Sequence, residues 1–129
     1  MMRLLLVCIG GAIGSGARYL TALWAASALG PAFPYGTLIV NLVGSFLIGL
    51  IQQIGMESLL LSDDVRLFLT TGVMGGLTTY SAFSYETVRL FESGAWTEAS
   101  INVVLMTVAC VILCFTGMLV GRTLVAARA

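Results

Sequence analysis

The chain has 129 residues, 59% of them hydrophobic and only 9% charged, with zero net charge and no histidine. A soluble domain carries roughly a quarter of its residues as charges, so this composition excludes a soluble fold. A neutral chain without a basic run gives no support for nucleic-acid binding, and the lack of His removes the commonest metal ligand and proton shuttle.

The charges that exist leave long gaps. No Asp, Glu, Lys or Arg stands between Arg18 and Glu57, between Arg66 and Glu86, or between Glu98 and Arg122. A helix needs about 20 mostly apolar residues to cross roughly 30 Å of hydrocarbon. With a mean hydropathy of +1.04, the pattern predicts an all-α membrane protein: one four-span domain over residues 1–129, with spans at about 3–29, 36–56, 65–91 and 97–125.

The first span opens after Arg3. Gly10, Gly11, Gly14, Gly16 and Arg18 interrupt it, whereas a signal peptide wants an unbroken apolar core, so the segment is kept as a span. Its Gly10-x-x-x-Gly14 pair permits close helix approach. Gly30-Pro31 ends it, and Pro34-Tyr35-Gly36 turns into the second span. There Thr37, Asn41 and Ser45 stand four residues apart on one face. For Thr37 and Ser45 interhelical bonding is a sufficient role. Asn41 in hydrocarbon demands a partner, because its amide carries both donors and acceptors.

Residues 57–66 hold Asp63, Asp64 and Arg66 and read as an aqueous loop. Ser62-Asp63-Asp64 suits a helix N-terminus, with a side-chain cap and acid at the positive dipole end. The third span then meets Gly75-Gly76 and Thr78-Thr79. Glycine weakens a helix by about 1 kcal/mol, and threonine hydroxyls compete for its backbone bonds. The stretch 75–79 is therefore expected to unwind. Open backbone at this depth survives only where protein buries it or where it lines a cavity or ion site. Freed carbonyls at Gly75 and Thr78 suit a small hard cation; a kinked but continuous helix is the alternative. Beyond it come Tyr80, Phe83 and Glu86 at intervals of three, with Ser81 and Ser84 interleaved. Ring edges are positive and hydroxyls donate, so the group can face an anion. Glu86 is either a functional carboxylate or an interfacial one.

Ser93-Gly94 closes this span, and Trp96 is placed as an interfacial aromatic. The fourth span carries Cys110, Cys114, Gly117 and Gly121 on a small-residue face, which reads as packing rather than a disulfide or metal site. Four spans put both termini on one side. Arg3, Arg66, Arg122 and Arg128 fall there, Arg18 and Arg89 on the other, a weak bias that permits insertion in both orientations.

Three blocks carry a resemblance. They are Gly10-Gly11-Ala12-Ile13-Gly14-Ser15-Gly16-Ala17-Arg18-Tyr19, then Gly36-Thr37-Leu38-Ile39-Val40-Asn41-Leu42-Val43-Gly44. The third is Gly75-Gly76-Leu77-Thr78-Thr79-Tyr80-Ser81-Ala82-Phe83-Ser84-Tyr85-Glu86. In this order, on this length, the chain resembles the Fluc or CrcB fluoride channels. The resemblance implies a broken third helix and an antiparallel, dual-topology homodimer in the bacterial inner (plasma) membrane. It implies passive, fluoride-selective flow that lowers cytoplasmic fluoride, with no enzymatic step. By the same resemblance Asn41, Tyr80, Phe83, Ser81, Ser84, Thr37 and Glu86 line the fluoride pore. Backbone carbonyls of Gly75 and Thr78 hold a structural Na⁺ at the dimer interface, and Arg18 serves the vestibule or the insertion topology.

Two departures stand out. Tyr80 replaces the family's usual Phe, and the family's span-four serine and aromatic positions fall on Met106 and Asn102, so no pore role is carried onto span four. Two other classes compete. A small multidrug-type proton-coupled exporter needs a first-span carboxylate, and residues 3–29 contain no Asp or Glu. A structural membrane subunit leaves the polar cluster after the break unexplained.

Overall fold

The computed structural model describes every residue from Met1 to Ala129 and contains helices but no strands. Two long helices come first, α1 (Met2–Leu29) and α2 (Tyr35–Glu57). The next segment is divided. A short α3 (Asp63–Leu67) runs into a π-helical stretch (Phe68–Met74) and a last turn, α4 (Gly75–Leu77). After two extended residues, α5 (Tyr80–Glu92) follows. The chain closes with α6 (Trp96–Val104), a π-helical stretch (Leu105–Ala109) and α7 (Cys110–Ala126).

Three helical runs are long and apolar enough to cross a membrane: Met2–Leu29, Tyr35–Glu57 and Trp96–Ala126. The pieces between Asp63 and Glu92 are each too short to cross alone; the 13 residues of α5 rise only about 20 Å. Burial agrees with an apolar surrounding. Only 21 of 129 residues are buried, while Leu5, Trp24, Ile112 and Phe115 are more than half exposed. Water does not tolerate such a surface, whereas lipid or a second protein does.

The turns sit where glycine allows them. Gly30 and Gly94 are the two residues with positive φ, at 87° and 81°, a conformation that costs glycine nothing. Ser62 caps α3 by accepting a bond from the Val65 N–H at 3.3 Å, with Asp63 and Asp64 in the first turn. Trp96 packs edge-on against Phe91, ring centroids 5.1 Å apart.

Two ion pairs gather charge at one end of the molecule. Arg3 pairs with Asp64 at 3.0 Å and Arg122 with Glu57 at 3.9 Å, so the start of α1, the α2–α3 loop and the end of α7 lie together. Arg18 stands elsewhere: its Nε donates to the Gly76 carbonyl at 3.1 Å, beside the interruption.

Backbone proximity governs helix packing, since lipid supplies no hydrophobic drive between helices. Gly10 and Gly14 are buried on α1, and Gly117 and Gly121 on α7. A Cβ at Gly14 would stand 2.1 Å from the Val73 carbonyl oxygen, and one at Gly117 would stand 2.1 Å from that of Phe46. Any side chain there forces backbones apart. We expect Gly14→Ala to lower the melting temperature of the purified protein by several degrees. Gly16→Ala, which meets nothing within 4 Å, should be neutral or stabilising by up to about 1 kcal/mol. Equal melting of the two variants would contradict this packing.

Candidate functional site

The site is built around the interruption between α4 and α5. Thr78 (φ −81°, ψ 155°) and Thr79 (φ −153°, ψ 122°) are extended. The interruption is narrower than the expected stretch 75–79. Gly75 keeps helical angles (φ −61°, ψ −37°), and Gly76 stays within α4. A Cβ on Gly76 would lie 2.4 Å from the Gly11 carbonyl oxygen, so this glycine serves close packing rather than unwinding. Unwinding falls on the threonines, and side chains take over part of the lost backbone bonding.

Several of the open backbone groups have a partner. Thr78 still donates its N–H to the Met74 carbonyl at 3.0 Å. The Thr79 N–H donates to Asn41 Oδ1 at 2.8 Å, and Asn41 Nδ2 donates back to the Thr79 carbonyl at 2.9 Å. One buried amide thus pairs both the N–H and the C=O of one residue. Thr79 then caps α5, its hydroxyl accepting from the Ala82 N–H at 3.2 Å. Because Thr79 and Ala82 donate elsewhere, the carbonyls of Gly75 and Thr78 lose the donors that a continuous helix gives them.

The expected residues divide into groups. Asn41, Tyr80 and Phe83 line one cavity of about 450 Å³ together with Ser45, Thr78 and Thr79. The Tyr80 and Phe83 rings meet edge to face at 5.4 Å. Phe83 is 7% exposed and packed with Leu38 and Met106, whereas Tyr80 is 78% exposed. Thr37 and Glu86 line a second cavity of about 490 Å³, with Tyr85 and Arg89. There Thr37 donates to Glu86 Oε1 at 2.7 Å, and the buried Oε2 has no partner. Along α2 and α5 the two sites are one turn apart. Ser81 and Ser84 line neither cavity. Ser81 Oγ lies 3.3 Å from Thr79 Oγ1, and Ser84 donates to the Tyr80 carbonyl at 3.0 Å.

Three contributors were not legible as such. Thr79 is the hub of the interruption. Met106 accepts the second Asn41 N–H on its sulfur at 3.2 Å, a weak acceptor. Asn102 is fully buried and donates to Thr87 Oγ1 at 3.0 Å, while Thr87 donates to the Phe83 carbonyl at 2.7 Å. Its Oδ1 has no partner. A polar residue inside a charge-free run was the available signal for Asn102; nothing in sequence paired Asn41 with a thioether.

The family model described as "CrcB-like protein, Camphor Resistance (CrcB)" matches residues 5–118. The chain belongs to the CrcB family. Similar CrcB-family proteins named fluoride-specific ion channel FluC include one from Anaeromyxobacter sp. (strain K), 52% identical over 96% of this chain and 98% of the relative. One from Anaeromyxobacter dehalogenans is 51% identical over the same shares. One from Geobacter metallireducens is 44% identical over 96% of this chain and all of the relative.

Asn41→Leu would strand both polar groups of the Thr79 peptide. At 1–3 kcal/mol per orphaned group, the loss of stability should reach about 2 kcal/mol or more. Ser45→Ala, on the same face but without a side-chain bond, should stay within about 0.5 kcal/mol of the wild type. Denaturant melts of the two variants in one detergent check this.

Proposed function

We propose that the chain is a fluoride-selective passive ion channel that lets fluoride leave the cell. Full-length similarity to proteins named fluoride-specific ion channels carries this reading, and the chemistry of the site supports it. Fluoride is small and strongly hydrated, so a dry path must replace water with fixed donors. Those donors must be weak enough to release the ion again. Phe83 and Tyr80 offer ring edges, and the Thr37 hydroxyl, whose proton goes to Glu86, would turn from that carboxylate to serve the ion. Asn41 keeps one N–H firmly on Thr79 and the other on a thioether. The second N–H is the one an anion can win.

In this reading residues 63–92 form the third of four spans, broken at Thr78–Thr79, in an inner-membrane protein. Tyr80 and Ser81 lie exposed on α5, where lipid is a poor neighbour. A second, antiparallel copy would cover them and bring Ser81 and Ser84 toward the anion path. The carbonyls of Gly75 and Thr78, relieved of their helical donors, suit a hard cation such as Na⁺, and two copies would contribute four oxygens. The bound cation would neutralise those dipoles where the copies meet. Glu86 and Thr37 would act at the mouth of the path, one turn from Asn41.

Purified protein in liposomes should release fluoride down its gradient and retain chloride; well-folded protein without fluoride efflux would overturn the channel. Glu86→Gln should change flux while leaving the oligomer intact, and unchanged flux would return Glu86 to an interfacial role. Cysteines placed at the termini should label from both sides of the membrane if the copies are antiparallel.

A further inference from the structure

Arg18 lies on α1 four residues beyond Gly14 and eight beyond Gly10, on the face packed against the divided segment. The two glycines draw α1 onto the backbone at Gly72, Val73 and Leu77. One turn on, the Arg18 side chain spans to the interruption itself. Its Nε donates to the Gly76 carbonyl at 3.1 Å in a partly buried setting. In a continuous helix that carbonyl belongs to the Tyr80 N–H. Thr78 and Thr79 are extended and Tyr80 opens a new helix, so the carbonyl is open.

The chain's ion pairs use Arg3, Arg66, Arg89 and Arg122. Arg18 has no such carboxylate partner, although it stands in an apolar run. A cation at that depth without a counter-ion needs a strong acceptor, and a backbone carbonyl freed from its helix is one. Guanidinium suits the task better than ammonium, being planar, weakly hydrated and rigid in its donor directions.

We infer that Arg18 is a positioning residue for the interruption. Together with Asn41 it fixes consecutive parts of the open backbone, Arg18 at Gly76 and Asn41 at Thr79. This backbone bond is a role beyond the vestibule or insertion-topology role that the resemblance implies. The inference holds whatever ion the protein carries, so its test does not depend on flux.

The test is amide hydrogen exchange on the purified full-length protein and two variants. Arg18→Lys keeps the charge but removes the Nε–H, and Arg18→Met removes both. Both should exchange about tenfold faster than wild type over residues 77–82, as loss of a charge-assisted bond implies. The middle of α2 and of α7 should keep wild-type rates. Wild-type exchange in Arg18→Lys would overturn the inference. So would unaltered exchange in Arg18→Met, whatever becomes of fluoride flux. Should Arg18→Met fail to fold, Arg18→Lys decides alone.

Discussion

A peptide group opened inside an apolar environment must find a partner within the protein, because no water is present to supply one. The rest of this structure follows from how that condition is met at Thr79. Asn41 answers it by bonding both the N–H and the C=O of one residue. An amide is the side chain able to do so without charge, since it carries donor and acceptor on one plane. Asn41 must therefore be held in place, and α2 is held by its glycine contact with α7. On the other flank α1 is drawn in by Gly14, close enough for Arg18 to reach Gly76.

This arrangement explains what was legible in the sequence. Charge gaps marked the apolar helices, because burying a charge in lipid is costly whatever the fold. The glycine pairs at 10 and 14 and at 117 and 121 marked helix contacts, because backbone approach is a local steric matter. Ser62 with Asp63 and Asp64 marked a helix start for the same local reason. The interruption was readable only approximately. Propensity pointed to the whole stretch 75–79, yet Gly75 and Gly76 stay helical and only the two threonines open. Propensity is a weak prior that a close contact such as Gly76 on Gly11 outweighs.

Less legible were features that depend on distant partners. Nothing local joins Asn41 to Met106, which ties α2 to the last helical run, or Asn102 to Thr87, which ties α6 to α5. The π-helical stretches at Phe68–Met74 and Leu105–Ala109 were also unannounced. Each contains a threonine bonding back to a carbonyl four residues earlier, Thr70 to Arg66 and Thr107 to Val103, a bond known to bend helices.

The central claim is that the open backbone at Thr79 is closed by a side chain rather than left exposed. Residue-resolved hydrogen exchange of the Thr79 amide in the wild-type protein tests it most directly. The Asn41 bond predicts protection comparable to the neighbouring helical amides of α5, although Thr79 itself is extended. Exchange as fast as that of the α2–α3 loop would contradict it.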